Sequence, residues 1–532
     1  MQNLKTNFFK KNFFKIFLIS FFLIGFFASL NTGLSFDEWV EQKIWEYNVA
    51  LVKNILFGVE LDPLFVDYPP KYYGAGFQII SQPIQFLLGK FVLIFQNVDI
   101  FGAHLLSKHA VIFVSFFISG IFVYLIISKI ISDIFFCKFV TLLYLLYPYL
   151  LGHGLFNPKD IPFLCFWVVC TYVSINIFTE LTKDESIKYK DVLLISFLSA
   201  FLLSIRISGV LIFLQYLFTL IIFLNLEKLK FTFFLRKNYK KFLSFVFLTI
   251  IFSYLFYPVF WKNPLLFFDA INTMSNHWNN VCTLTLGKCM YSKNLDPLYI
   301  PIWLLVKLPT IILIGFILLP FTEKKIFLNK KSNITFGTLL FSSIFIPALL
   351  ILKKVYLYDE LRQILFLIPL IFIIGSVSFY IFSKKIFYLL SFITILIFVI
   401  ENIKIYPYQY VWFNTPARAL NLTKNFELEY IGLSGRDLAK NIIILNKEVN
   451  PKPCILVSPP WLIQSFLDSS SYSCFGLWQE IDSDFPRPFW AVQNVRNIKK
   501  GRSYKCNIVY ESKFSLLFSK ENIVTGKLLK CT

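Results

Sequence analysis

The chain has 532 residues, 57% of them hydrophobic and 16% charged, and a formal net charge of +21. A mean hydropathy of +0.65 excludes an ordinary soluble globular protein. Many stretches of about 18 or more residues carry few charges, which is the length a helix needs to cross a bilayer, so the class is a polytopic α-helical membrane protein. The basic residues sit in short connections rather than in a stripe interleaved with aromatics, so no nucleic-acid partner is expected. Phe (65 residues), Ile, Lys, Asn and Tyr are over-used together, a bias that suggests an AT-rich genome and leaves single aromatics without functional weight. The nine Cys form no CxxC pair and no Cys/His metal spacing, and Cys137, Cys165 and Cys170 fall in apolar segments as packing residues.

In chain order, the basic MQNLKTNFFKKNFFK precedes an apolar segment over 16–34. No small-residue cleavage site follows and acids come at once, so it reads as an uncleaved first span with its amino end inside. Further spans are expected over 104–128, 139–152, 162–181, 192–205, 207–226, 242–260, 300–321, 333–352, 363–382 and 386–402, eleven in all. Alternation then puts KIISDIFFCK, TKDESIKYKD, EKLKFTFFLRKNYKK, TEKKIFLNKK and SKK on the cytoplasmic side, each with at least two basic residues. The loop 35–103, the turn GHGLFNPKD, the bend SIRIS, the loop 261–299 and KKVYLYDE fall outside. The first loop is expected to hold interfacial helices and no further span, because one more crossing would reverse every later connection.

Residues 1–404 thus form a transmembrane domain, and 405–532 a small α/β domain outside the membrane. In this tail IIIL, CILV and CNIVY read as strands. Its Cys454, Cys474, Cys506 and Cys531 allow one or two disulfides in an oxidising space, with connectivity open.

The unusual polar residues sort to the outer ends. They are Asp37 and Glu38 in LSFDEWVEQ, Asn157, Lys159 and Asp160 in FNPKDIP, and Arg206 in LLSIRISG. His277 in TMSNHW and Asp359, Glu360 and Arg362 in YDELRQ complete the set. One such charge is most simply a structural ion pair, but several on one face suggest a site. A carboxylate there can take a proton from an attacking hydroxyl, while Arg and Lys hold a phosphate and stabilise it as it leaves.

An acidic pair after the first span, a Lys-Asp motif in a short outer loop and a C-terminal outer domain resemble the GT-C membrane glycosyltransferases. Within these the chain looks most like bacterial relatives of protein O-mannosyltransferases and of the lipid A aminoarabinose transferase. GHGLFNPKDIPF, AINTMSNHW, PIWLLVKLP, YDELRQILFLIP and YPYQYVWFN carry the likeness over residues 16–440. The resemblance implies a polyprenyl-phosphate sugar donor, a lipid, glycan or protein acceptor, and inverting transfer on the outer face of a bacterial inner membrane. It implies Asp37 as base or acceptor-orienting acid, Glu38 as its partner and Asp160 as the second acid. Lys159 and Arg206 would contact the donor phosphate, and Asn157, His277, Glu360 and Arg362 would complete substrate binding. Some GT-C relatives place a divalent metal between their acids, so a metal cofactor stays an open expectation. A lipid or solute transporter is the main alternative, disfavoured by the lack of internal repeats and by the globular tail. A non-catalytic assembly factor would be expected to lack the acidic motifs.

Overall fold

The computed structural model describes residues 2–62, 69–181, 186–276, 280–322, 329–447, 449, 452–457, 459–476, 488–494 and 506–531. The chain is mostly helical, with a small C-terminal sheet. The helices are α1 (Gln2–Leu30), α2 (Phe36–Phe57), α3 (Gly76–Phe95), α4 (Ile100–Ile130), α5 (Ile134–Leu146) and α6 (Pro148–Gly154). There follow α7 (Asp160–Glu180), α8 (Tyr189–Ile205), α9 (Ile212–Glu227), α10 (Phe231–Phe256) and α11 (Leu266–Asn276). After a hairpin of β1 (Cys282–Thr285) and β2 (Lys288–Tyr291) come α12 (Tyr299–Lys307), α13 (Thr310–Leu318), α14 (Lys330–Leu352), α15 (Ile368–Phe382) and α16 (Lys384–Lys404).

Among the described residues, nine helices are long and apolar enough to cross a membrane, or up to eleven if each of two bent pairs counts as one span. Eight of the nine coincide with expected spans, and the bent pairs α5–α6 (63°) and the α12–α13 stretch (117°) match two more. The last expected span, 192–205, is the 17-residue α8. Burial grades these helices: 89% of the best apolar window in the Arg362–Phe382 stretch is enclosed by protein, against 6% in α10. The α10 side chains are left facing outward, as a lipid-facing helix requires.

The ninth helix is α3, in the first loop, about 30 Å long at 1.5 Å per residue. At its start, the Ala75 amide donates to Phe256 O at the end of α10 (3.2 Å), and a methyl on Gly76 would collide with Ser204 near the end of α8. At its finish, Gln96 Nε2 donates to Leu30 O at the end of α1 (3.1 Å). Both ends of α3 thus meet the C-terminal ends of other helices. Its exposed Ile79, Ile84, Phe86 and Leu87 face outward while Gln78, Ser81 and Gln85 are buried beneath it.

The basic connections meet one another. Asp133 pairs with Lys384 (2.7 Å), Lys330 with Glu227 (2.7 Å) and Lys331 with Glu180 (3.2 Å).

In the tail, β3 (Cys454–Leu456), β4 (Phe475–Gly476), β5 (Phe489–Asn494), β6 (Cys506–Phe514) and β7 (Ile523–Cys531) form a mixed sheet in the order β4-β3-β5-β7-β6. CILV and CNIVY supply β3 and β6 as expected. IIIL does not form a strand: it ends helix α17 (Gly435–Leu445), where Leu438, Ala439 and Ile442 turn inward at helical spacing and Ile444 stays exposed. Disulfides join Cys454 to Cys474 and Cys506 to Cys531, and a third, Cys282–Cys289, staples the β1–β2 hairpin. Cys137, Cys165 and Cys170 are free and buried. The tail is clamped to the bundle by Arg418, whose guanidinium grips the buried Glu401 of α16 at 2.6 and 2.8 Å.

Candidate active site

Three motifs far apart in sequence meet on one guanidinium. Arg362 donates from Nε to Asp160 Oδ2 (2.7 Å) and from Nη2 to Asp37, while its Nη1 lies 3.5 Å from Asp359. Arg206 binds the other oxygen of Asp160. Planar guanidinium forks suit such bridging, because each presents several donors in fixed directions.

Local sequence explains each placement. Asn157 Oδ1 accepts from the amides of Lys159 (3.2 Å) and Asp160 (2.9 Å), a side-chain turn that starts α7. Asn157 Nδ2 then donates to Asp160 Oδ2 (3.0 Å). Asp160 is 2% exposed and is held by two arginines and an amide, so both its oxygens are engaged. Asp37 lies in the first turn of α2, where the helix dipole favours a carboxylate. Its side chain is 33% exposed, the most accessible acid of the group. Arg206 arrives at the break after α8, and Arg362 follows a turn in which Asp359 and Glu360 both have positive φ (56° and 65°).

Lys159 sits beside this group. Its ammonium contacts Glu41 Oε1 (2.8 Å) and lies 3.1 Å from the centroid of the Tyr73 ring. Glu38 is turned away from Asp37. It is fully buried, accepts from the Ser35 amide (2.8 Å) and lies 2.9 Å from His109 Nε2. Glu360 is likewise drawn inward, into an ion pair with Lys307 (2.9 Å) in which neither side chain is exposed. Burial raises the Glu360 carboxyl, and Lys307 pulls it back toward the charged form.

Of the expected site residues, the structure brings together Asp37, Asn157, Asp160, Arg206 and Arg362, with Lys159 alongside. Glu38 and Glu360 face the interior, and His277 lies outside the described residues. The residues to which sequence reasoning gave no role are Glu41, Lys108, His109 and Lys307. Lys108 is fully buried, and its ammonium has no hydrogen-bond partner among the described residues. A signal for three of them was present: Lys108 and His109 interrupt the apolar 104–128 stretch, and Lys307 interrupts 300–321. Among the described residues, no group of three or more His, Cys, Asp or Glu could hold a metal ion. Arg362 lies between the Asp37 and Asp160 carboxylates and bridges them.

No family model matches the sequence, and no curated protein matches it. Among solved structures, the chain is similar to the crystal structure of ArnT from Cupriavidus metallidurans bound to undecaprenyl phosphate. That match has a TM-score of 0.47 and 11% identity, covering 98% of each chain. The apo state of the same protein gives a TM-score of 0.45 at 11% identity, again over 98% of each chain.

Proposed function

We propose that this chain is a membrane glycosyltransferase that moves a sugar from a polyprenyl-phosphate donor to an acceptor hydroxyl, with inversion. The observation that carries the reading is one accessible carboxylate, Asp37, on the Arg362 guanidinium, which the buried Asp160 holds together with Arg206. The acceptor oxygen attacks the anomeric carbon, the bond from that carbon to the phosphate oxygen breaks, and polyprenyl phosphate leaves. Asp37 takes the acceptor proton or orients the hydroxyl, and the proton passes to water. Arg206 and Arg362, 18% and 11% exposed, and the adjacent Lys159 meet the charge that develops on the leaving phosphate. Asp160 is the counter-ion that aims both arginines, in place of a second base, because its oxygens are already engaged.

The order of acidic and basic motifs along the chain, with its resemblance to the GT-C glycosyltransferases, supports the same reading. The site shares its end of the bundle with the tail, and the basic connections crowd the other end, which supports a cytoplasmic amino terminus and transfer on the outer face. The acceptor is a lipid, a glycan or a protein.

Asp37→Asn tests this directly, since it keeps shape and removes charge. Transfer by purified protein in detergent should fall by roughly 10² to 10⁴ while accumulation is unchanged. Near-normal transfer by the variant would remove Asp37 from the chemistry. A transporter, by contrast, never consumes the lipid-linked sugar in detergent, with or without Asp37.

A further inference from the structure

We propose that Lys307, acting through Glu360, is a positioning residue for Arg362; this rests on the transferase reading above. Lys307 ends α12 at the bend into α13 and has no exposed surface. It pairs with neither Asp37 nor Asp160. Its ammonium is enclosed by aromatic rings, 3.9 Å from the centroid of Phe413 and 4.8 Å from that of Tyr149, with Glu360 Oε2 at 2.9 Å. Two neighbouring hydrogen bonds pin the same backbone. Tyr299 Oη donates to Glu360 O (3.2 Å), and the Asp359 amide donates to Thr283 Oγ1 (2.9 Å).

This anchorage has a specific job. Asp359 and Glu360 are consecutive non-glycine residues in the left-handed region, a conformation that persists only where the surroundings over-determine it. The turn they make sends the Glu360 carboxylate into the core and, two residues later, the Arg362 guanidinium toward Asp37 and Asp160. A buried ion pair is weak evidence for stability, but it selects one arrangement of the chain over others. Here the selected arrangement is the one in which a single guanidinium reaches both acids. Lys307 is thus remote from the chemistry yet sets its geometry.

The test uses full-length protein in detergent and the double variant Lys307→Met/Glu360→Gln. It leaves no buried charge unpaired, so it retains the fold. Amide hydrogen exchange at residues 359–364 should become faster in the variant, with the rest of the bundle unchanged. Transfer should fall by about tenfold or more, as expected when a charge-assisted contact is misplaced. Adding Arg362→Lys to the double variant should slow it by no more than about twofold beyond Arg362→Lys alone, because residues acting through one another are not additive. Unchanged exchange at 359–364 overturns the proposal, and so do rate losses that simply multiply. If the wild-type protein transfers no sugar from any polyprenyl-phosphate donor, the transferase reading fails, and the exchange result alone decides whether the pair holds the turn.

Discussion

Arg362→Lys is the sharpest perturbation of the site, because it preserves charge and removes the fork. The guanidinium reaches Asp160 from Nε at 2.7 Å and Asp37 from Nη2. One ammonium at the end of a flexible stem can face either acid well, but it cannot reproduce both directions at once. One charge-assisted hydrogen bond is therefore lost, worth about 1.5–3 kcal/mol. If that bond is made in the transition state, the rate falls by about 10- to 100-fold, at a factor of ten per 1.4 kcal/mol.

Stability should respond much less. Asp160 keeps Arg206 and Asn157 (3.0 Å), so no buried acid is stranded, and the variant should accumulate and melt close to the wild type. Consumption of polyprenyl-phosphate sugar is followed by mass spectrometry on purified protein, with thermal unfolding recorded on the same preparation. A variant that transfers within about threefold of wild type, a difference under 1 kcal/mol, would show that the fork geometry does not matter. Equal losses of activity and melting temperature would show instead that Arg362 acts only on the fold.

Arg206→Ala should raise the donor KM more than it lowers kcat, with part of the rate recovered at higher donor; a pure kcat loss would count against a phosphate contact. In an oxidising compartment six of the nine cysteines should resist alkylation before reduction, as the pairs 282–289, 454–474 and 506–531 require, and free reaction of all six would refute the pairing. Burial pushes Glu429 up to about 7, outweighing the hydrogen bonds it accepts from Tyr410 and the amides of Ile431 and Gly432. A carboxyl with a raised folded value binds its proton more tightly in the folded state, so tail stability should fall as pH rises from about 4.5 to 7 and then level. Glu429→Gln should flatten that slope in chemical unfolding at several pH values.

The bundle was legible because apolar length and loop charge are local properties of sequence. All eleven expected spans correspond to helices or bent helix pairs, and Asp133, Glu180, Glu227, Lys330, Lys331 and Lys384 gather at one end. The limits are also physical. α3 is as apolar as a span, and only the contacts of Ala75 and Gln96 show that each of its ends meets the end of another helix. In IIIL a β-branched run obscured helical spacing, because the inward positions begin earlier, at Leu438 and Ala439. Lys307 carried a sequence signal, a lysine in an apolar stretch, but its partner is 53 positions away and no local pattern names it.

The acidic stretch after the first span shows why adjacency in sequence misleads at such a site. Asp37 and Glu38 look like a carboxylate pair, but successive helical residues point about 100° apart. Once Ser35 and Phe36 begin α2, the adjacent Asp37 and Glu38 must point apart, while Glu41, one turn on from Asp37, shares its face. Asp37 goes to Arg362, Glu38 to the Ser35 amide and His109, and Glu41 to Lys159. Each acid acquires a cation or donor from a different part of the chain, at separations of 325, 71 and 118 positions for Arg362, His109 and Lys159. The same geometry that breaks the apparent dyad builds the site: it leaves one accessible carboxylate on Arg362, and spends its neighbours on holding α2 in place. A carboxylate pair sharing one proton would have pushed one of the two toward neutrality. Separating them leaves Asp37 on Arg362, without Glu38 beside it.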